Sequence, residues 1–248
     1  MRIDVLFGPA QLQAPLMAGR VVAVIDVLRA STTIAVALAH DARNVVPLEG
    51  TDEVIARAKQ FERSEVRLAG ERRMVAIPGF DLGNSPREFT RENVEGKTVL
   101  LTTTNGTAAL VAIQGARDIV VASYVNFSVV SALLRSALRG GADVSIVCAG
   151  RDRQFSLEDA ACAGRFARSI AKQIVEVEMN DAARACELID RKYGDRLDRL
   201  FQESEHGQAL IEAGFRDDLD VCAAIDSYPV VPIYQERHIT KLGPDRER

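Results

Sequence analysis

Residues 21–34 read VVAVIDVLRASTTI, an apolar run that breaks into charged and hydroxyl side chains before the apolar sequence resumes. An uninterrupted apolar run of this length predicts a strand buried on both faces, as in parallel sheets. Asp26 ends the strand, Arg29 opens the next helix, and Ser31 lies in its first turn. The stretch therefore predicts a β-turn-α unit, whose polar turn is either a ligand site or an ordinary helix N-cap.

Strand and helix periods alternate along most of the chain. Strands are predicted at 2–7, 21–26, 45–49, 66–69, 97–102, 118–124, 143–148 and 229–235. Helices are predicted at 30–41, 52–63, 105–114, 127–139, 157–173, 181–193, 205–213 and 216–225. Thr51 and Asn126 are expected to cap the second and fourth helices, and Gly140-Gly141 to end the fourth. Such alternation implies a three-layer α/β/α fold with a largely parallel or mixed central sheet.

No linker or low-complexity tract divides the chain, so residues 1–248 are expected to form a single α/β domain. VIDVLRASTTIAVALA and VLLTTTNGTAALVAI, around 21–41 and 97–115, resemble each other. This pseudo-repeat is either an internal duplication or a chance recurrence of a common unit, and chance is favoured. Residues 71–96 form the longest irregular stretch, and loops of that length are usually functional or mobile.

Composition limits the class of protein. The 248 residues are 47% hydrophobic, and 31 basic against 35 acidic side chains leave a net charge of −4, which argues against a nucleic-acid partner. No segment reaches membrane-spanning length, and MRIDVLFGPA lacks the pattern of a signal peptide. The four cysteines form no CxxC pair, which favours reduced thiols. A cytoplasmic protein without a membrane partner is expected.

Two polar turns are candidates for binding an anion. Ser31 and Arg29 lie where a helix N-terminus favours a phosphate or carboxylate, although Ser31 could simply cap the helix while Asp26 pairs with Arg29. TTTNGT, residues 102–107, forms a strand-to-helix turn rich in donors but lacks the lysine of a nucleotide-binding P-loop. The alternative to an anion site in this segment is a simple Asn-Gly turn in which a threonine caps the helix. Three consecutive threonines exceed what capping requires, so function is favoured.

Two further segments contain charged groups. CAGRDRQFSLEDAACAG, residues 148–164, follows a strand and contains Arg151, Arg153, Glu158 and Asp159. It also fits a capping box in which Ser156 caps the helix and Asp159 folds back on the helix start, and on pattern alone that reading is favoured. IPGFDLGNSPREF, residues 77–89, contains Asp81, Asn84 and Ser85 between phenylalanines. An active-site loop is favoured there over a surface Ω-loop.

Several common sites are missing from the sequence. The histidines at 40, 206 and 238 are scattered, and neither GxGxxG nor GxSxG occurs. Cys162 and Arg168 have the C-x5-R spacing of cysteine phosphatases, but they fall within a predicted helix, so that reading is rejected. Acids, arginines and a hydroxyl-rich turn remain, and oxygen ligands of this kind suit Mg²⁺ acting on a phosphate.

Five segments together resemble one family. IDVLRASTTI, GFDLGNSP, TTTNGT, CAGRDRQFSLEDAACAG and SEHGQAL with DDLDVC occur in this order, and the chain from about residue 3 to residue 234 resembles the 2-phosphosulfolactate phosphatases (ComB). The resemblance implies an α/β fold of the family's own type and Mg²⁺-dependent hydrolysis of 2-phospho-3-sulfolactate to 3-sulfolactate and phosphate. In methanogens this reaction is a step toward coenzyme M.

The resemblance and the placement at strand ends together assign roles. The catalytic candidates are Asp26, Arg29, Asp81 and Asp159. The candidate Mg²⁺ ligands are Asp26, Asp81, Glu158 and Asp159, with Asp26 the first choice. The candidate substrate-binding residues are Ser31, Asn84, Ser85, Thr103, Thr104, Asn105, Gly106 and Arg151. Arg29 and the threonine turn are expected to hold the phosphoryl group, and Arg151 the carboxylate or sulfonate of a small anionic substrate, with Arg153 as a further arginine of the same site.

Three questions stay open at this level. His206 is either a general acid for the leaving alkoxide or a helix-start residue beside the cap Ser204, and the second reading is favoured. The substrate could be another small phosphorylated hydroxy acid, or the chain could be a non-catalytic anion-binding module, which the clustered acids speak against. YPVVPIYQ, residues 228–235, is a core strand or the interface of a homo-oligomer.

Overall fold

The computed structural model describes residues 1–12, 14–152, 154–172, 174 and 176–243. Its strands are β1 (Arg2–Leu6), β2 (Val21–Ile25), β3 (Asn44–Pro47), β4 (Val66–Arg72), β5 (Val75–Ala76), β6 (Thr98–Thr102), β7 (Asp118–Ala122), β8 (Val144–Cys148), β9 (Glu178–Met179), β10 (Pro232–Gln235) and β11 (His238–Lys241). Its helices are α1 (Ala14–Met17), α2 (Ala30–Ala39), α3 (Thr51–Ala58), α4 (Arg91–Val94), α5 (Gly106–Ala112), α6 (Phe127–Arg139), α7 (Leu157–Ala171), α8 (Asp181–Tyr193), α9 (Leu197–Glu203), α10 (Glu205–Glu212) and α11 (Arg216–Ala223).

The strands described form one mixed sheet in the order β5-β4-β6-β3-β11-β10-β7-β2-β8-β1-β9. Strands β4, β6 and β3 run parallel to one another, and so do β7, β2, β8, β1 and β9. The hairpin of β10 and β11 joins these two parallel blocks through three antiparallel pairings. Three reversals leave the two blocks running in opposite directions. The predicted three-layer α/β/α fold with a mixed sheet is confirmed.

Strand β2 shows why the sheet is covered on both faces. All five of its residues are buried. Val21, Ala23 and Ile25 contribute to the core beneath α6, α7 and α8, whereas Val22 and Val24 contribute to a second core that includes α2 and α5. Alternate side chains of a strand point to opposite faces, so a run of five apolar residues serves both cores.

Helix α2 lies within the second core. Its residues from Ala30 to Leu38 are all buried, which explains the apolar composition of the segment after the polar turn. A helix that is apolar all round must be covered on all sides to be stable in water. Helix α3, in contrast, has one buried residue, Val54, and packs on the outer face of β4 and β6.

Some local predictions are wrong. Thr51 is the first residue of α3 and Gly50 is its N-cap, without a side-chain cap. Asn126 does precede α6, but its side chain accepts the Ser123 N–H instead of capping that helix. Gly141 at φ +86° follows the end of α6, as predicted. The strand predicted at 66–69 extends to Arg72 and turns into β5, so the irregular stretch begins later than expected.

The C-terminal segment resolves one open question. Pro232–Gln235 pairs with β7 on one side and β11 on the other, so YPVVPIYQ contributes a central strand. Strand β11 was not predicted, nor were β5, β9, α1, α4 and α9. In the parts of the chain that the structure describes, no helix has the length and apolarity needed to cross a membrane.

Candidate active site

Asp26 lies at the end of β2 and is 7% exposed. Its backbone N–H donates to Ser31 Oγ at 2.9 Å, and its Oδ1 accepts the Ala30 N–H at 3.2 Å. Burial raises the pKa of this carboxyl to about 6, with nearby Glu71 and Glu158 adding to the shift while His206 and the Ala30 N–H oppose it. Ser31 thus closes the turn and does not line the cavity described below. The alternative in which Asp26 pairs with Arg29 is wrong, because Arg29 pairs with Asp218.

The threonine turn approaches Asp26 through Gly106. A Cβ on Gly106 would lie 2.6 Å from Asp26 Oδ2 and 2.6 Å from the Ala30 Cβ. Gly106 is therefore the residue that lets the start of α5 lie against the carboxylate. The Asp26 carboxylate and the TTTNGT turn therefore meet, although β2 and β6 belong to opposed blocks of the sheet.

The helices that follow these two strands account for the meeting. Helices α2 and α5 contribute to the same core and contact each other, and α5 also contacts β2. The pair Glu158–Asp159 reaches Asp26 by a simpler route, because α7 follows β8, the parallel neighbour of β2.

A cavity of about 280 Å³ opens beside Asp26. Its lining residues are Asp26, Leu28, Arg29, Glu71, Arg73, Met74, Asn84, Thr103, Thr104, Asn105, Arg151, Asp152 and His206. Seven of these were predicted as site residues, namely Asp26, Arg29, Asn84, Thr103, Thr104, Asn105 and Arg151. The cavity combines carboxylates, guanidinium groups and hydroxyls in a volume suited to a small charged molecule.

Glu71 links two walls of the cavity by hydrogen bonds. It accepts the Thr104 N–H at 2.7 Å and the Thr104 hydroxyl at 3.1 Å, and it also accepts the Met74 N–H at 2.8 Å. Thr104 is therefore bound to protein and is not a free donor for an anion. Asn105 Oδ1 accepts the Asp152 N–H at 3.2 Å. Sequence reasoning missed Glu71, because it lies beyond the apolar residues from which the strand at 66–69 was predicted.

Arg29 is held rigidly. Its guanidinium donates to Asp218 at 2.7 Å and to the Met74 carbonyl at 3.1 Å, and it lies 4.4 Å from the ring centre of Phe215. Both partners of the ion pair have side chains that are only 2% exposed. Ser85 donates to the other Asp218 oxygen at 2.6 Å and does not line the cavity. Asp218, which sequence reasoning missed, thus positions a cavity cation.

Of the two predicted site residues Asn84 and Asp81, only Asn84 lies at the cavity. Asn84 lines the cavity, and its buried Oδ1 has no hydrogen-bond partner among the residues described. Asp81 pairs with Arg63, accepts the Leu68 N–H at 2.8 Å, and does not line the cavity. The structure therefore brings Asn84 to the site and does not bring Asp81 there.

Asp159 connects two loops beside the cavity through hydrogen bonds. Its carboxylate accepts the Val27 N–H at 2.9 Å and the Gly150 N–H at 3.1 Å, joining the loops that follow β2 and β8. Burial raises its pKa, and neighbouring Glu158 and Asp26 add to the rise. Ser156 caps α7, as the capping-box reading predicted, but the Asp159 carboxylate does not fold back on the helix start. Asp159 does not line the cavity.

Glu158 contacts the one histidine of the cavity. Its Oε1 lies 3.2 Å from His206 Nδ1, without the alignment of a hydrogen bond. Burial favours the neutral acid, but the contact with His206 holds the pKa of Glu158 below its usual value. Ser204 does cap α10 by accepting the Gly207 N–H at 3.0 Å. His206 thus lies at the start of α10 beside the cap Ser204, as the favoured reading predicted, and it also lines the cavity.

Arg151 lines the cavity and has a partly exposed side chain, with Glu205 at 3.8 Å. Arg153, the further arginine predicted for this site, lies outside the described residues. Within the described part of the chain, no three His, Cys, Asp or Glu side chains are grouped closely enough to hold a metal ion by themselves. A metal at Asp26 would therefore need ligands from water or substrate as well.

Comparison with known proteins identifies the family. The family model for 2-phosphosulpholactate phosphatase matches residues 7–237. The chain belongs to this family. The match includes every residue of the cavity, from Asp26 to His206. Family membership makes the chain an enzyme of the phosphoric monoester hydrolase class.

Curated relatives of the family cover nearly the whole chain. A probable 2-phosphosulfolactate phosphatase of Symbiobacterium thermophilum is 42% identical, over 91% of this chain and 96% of the relative. Proteins with the same description from Carboxydothermus hydrogenoformans and Clostridium botulinum are 39% and 34% identical, over 94% and 98% of this chain and 92% and 100% of the relatives.

Proposed function

We propose that this chain is a Mg²⁺-dependent phosphatase that hydrolyses 2-phospho-3-sulfolactate to 3-sulfolactate and phosphate. The names of its relatives support the substrate. The observation that carries the proposal is the cavity itself, in which the buried Asp26 carboxylate lies with three arginines and a histidine in about 280 Å³. A three-carbon ester bearing phosphate, carboxylate and sulfonate needs several cationic groups in a small site, and the three arginines of this lining provide them.

The residues at Asp26 fit Mg²⁺. This ion prefers oxygen ligands, keeps several waters, and is often bound through one or two carboxylates plus substrate oxygens. Asp26 would supply the carboxylate, and Asn84 would supply an amide oxygen that otherwise has no partner among the described residues. Glu71 is less available, because Thr104 and Met74 occupy its oxygens. When bound, the ion supplies charge neutralisation at the phosphoryl oxygens.

Arg29 would bind the phosphoryl group without having to reorganise. The Asp218 contact and the Phe215 ring fix its guanidinium before substrate arrives. Donors that are already oriented toward a developing negative charge stabilise a transition state more than mobile donors do. Thr103 lies in the same cavity wall, where it shares hydrogen bonds with Thr107.

His206 would donate the proton that the leaving oxygen needs. It lines the cavity, and its Nδ1 lies 3.2 Å from Glu158 Oε1. An alkoxide is a poor leaving group, so protonation of the ester oxygen as the P–O bond breaks accelerates hydrolysis. Water supplies the oxygen that ends on phosphorus, and the alcohol product keeps the ester oxygen.

The test is phosphate release from a panel of phosphorylated hydroxy acids, measured with Mg²⁺ and with EDTA. We expect release from 2-phospho-3-sulfolactate that EDTA abolishes and Mg²⁺ restores. Release from many esters at similar rates would instead favour a phosphatase for another small phosphorylated hydroxy acid. An absence of release from every ester would refute the proposal and favour a non-catalytic anion-binding module.

A further inference from the structure

The turn between β4 and β5 has an unusual sequence for its conformation. Arg73 and Met74 are its two central residues, since Arg72 pairs with Val75 on the opposite strand. Both have positive φ, +51° and +71°. Two-residue hairpin turns of this hand favour Asn-Gly, because side chains other than asparagine and glycine are strained there. Backbone strain of this kind is concentrated at functional sites in proteins.

The turn is tied to the cavity on both sides of Met74. The Met74 N–H donates to Glu71 Oε2 at 2.8 Å. The Met74 carbonyl accepts from the Arg29 guanidinium at 3.1 Å. Glu71 and Arg29 are themselves buried cavity residues. The neighbouring residue Arg73 is therefore presented at the cavity by a backbone that is held in place.

The three cavity arginines differ in how far their charge is compensated. Arg29 is paired with buried Asp218. Among the residues described, the ionic partner of Arg151 is Glu205 alone, at 3.8 Å and 92% exposed, which is a weak, solvent-screened contact. Arg73 is exposed and has no ion pair or hydrogen bond within the described residues. Although the Asp152 carboxylate belongs to the same lining, it forms no ion pair with Arg73, so within the described part of the chain Arg73 is an unpaired cation.

We propose that Arg73 is a specificity-determining residue that binds the second anionic group of the substrate, the carboxylate or the sulfonate. The inference rests on the proposed function and adds a residue to it. A guanidinium matches the paired oxygens of either group through two parallel hydrogen bonds. Arg73 lines the same cavity as Asp26 and Arg29, and its volume of about 280 Å³ is suited to a three-carbon ester whose phosphate binds at those two residues.

The test compares Arg73→Gln with Arg184→Gln, which removes the same charge from an exposed position on α8 outside the cavity. For 2-phospho-3-sulfolactate we expect kcat/KM of Arg73→Gln to fall by about ten- to a hundredfold, the range of a charge-assisted hydrogen bond. For ethyl phosphate, which has no second anionic group, we expect less than about a twofold change. Arg73→Lys should recover part of the loss, and Arg184→Gln should behave as wild type. The proposal would be overturned if Arg73→Gln lowered kcat/KM equally for both esters, or if it left kcat/KM unchanged for both.

Two further measurements separate binding from folding and from catalysis. Arg73→Asn suits the left-handed turn, so it should melt at or above the wild-type temperature and still lose the preference for the sulfonated ester. Calorimetric titration with 3-sulfolactate needs no turnover. Weaker binding by Arg73→Gln than by Arg184→Gln supports the role of Arg73 even if no ester is hydrolysed. Undiminished binding, or a wild-type chain that does not bind 3-sulfolactate, overturns it.

Discussion

At the scale of single residues, Asp26 combines reactivity with a cost in stability. Burial places its pKa near 6, above the ordinary 3.8, so ionising it at neutral pH opposes folding. The folded state binds the proton more tightly than the unfolded chain does. The contribution of Asp26 to the stability of the metal-free protein is therefore most favourable below about pH 4, falls between about pH 4 and 6, and is level above that range.

Asp26→Asn should abolish turnover and stabilise the metal-free protein at neutral pH. The pKa shift from 3.8 to about 6 corresponds to roughly 3 kcal/mol, and an amide avoids this cost while still accepting the Ala30 N–H. Urea unfolding of both proteins with EDTA at pH 7 and pH 4 measures the effect. The gain should disappear at pH 4. A variant that is active, or less stable than wild type at pH 7, contradicts the prediction.

His206→Gln should show a loss that depends on the leaving group. We expect kcat for 2-phospho-3-sulfolactate to fall by about 10²–10³, within the usual range for a general acid. With 4-nitrophenyl phosphate, whose leaving group needs no proton, the loss should be several times smaller. His238→Gln is the matched control, because His238 lies on β11 outside the cavity. Equal losses on the two esters would assign His206 to structure alone.

At the scale of elements, the approach of α5 to the turn after β2 depends on one missing side chain. Gly106→Ala would place a methyl group 2.6 Å from both Ala30 and Asp26. We expect a destabilisation of about 1–3 kcal/mol, typical of overpacking, with a large fall in kcat because the carboxylate must move. Gly243→Ala, whose added methyl meets nothing within 4 Å, should leave melting and activity unchanged. An active, stable Gly106→Ala would show that this contact is not needed.

The β4–β5 hairpin shows where local patterns fail. The apolar period ends near residue 69, so the sequence predicts that the strand stops there and a loop begins. Pairing with β6 and β5 extends the strand to Arg72 and brings Glu71 to the cavity. A partner strand can stabilise polar residues in extended conformation, and the sequence of the segment alone does not contain that information.

At the scale of the whole molecule, the C-terminal hairpin joins the two opposed blocks of the sheet. Ile239 on β11 pairs with Val45 on β3 and is fully buried in the core around α2. Because each block depends on this hairpin for a neighbour, we expect the described sheet to unfold as one cooperative unit.

Ile239→Ala should therefore destabilise the entire chain. We expect a loss of about 2–5 kcal/mol in a single transition, with KM unchanged. Ile55→Ala, at a position that is 46% exposed, is the control and should change stability by less than about 0.5 kcal/mol. Calorimetric melting is the measurement. Two separate transitions, or equal effects of the two variants, would show that the blocks fold independently.

Side-chain periodicity and turn chemistry are local properties, so the α/β class, the positions of most strands and helices, and the polar turns that carry Asp26, the threonines and Arg151 could be predicted from the sequence. Other features appear only in the folded chain: the two blocks run in opposite directions, Asp81 and Ser85 lie outside the cavity, and Glu71, His206 and Asp218 lie at or beside it. Those outcomes depend on the pairing of strands and the packing of helices that are far apart in the chain. A strand's own residues encode which of its faces are apolar, but not which partner it meets.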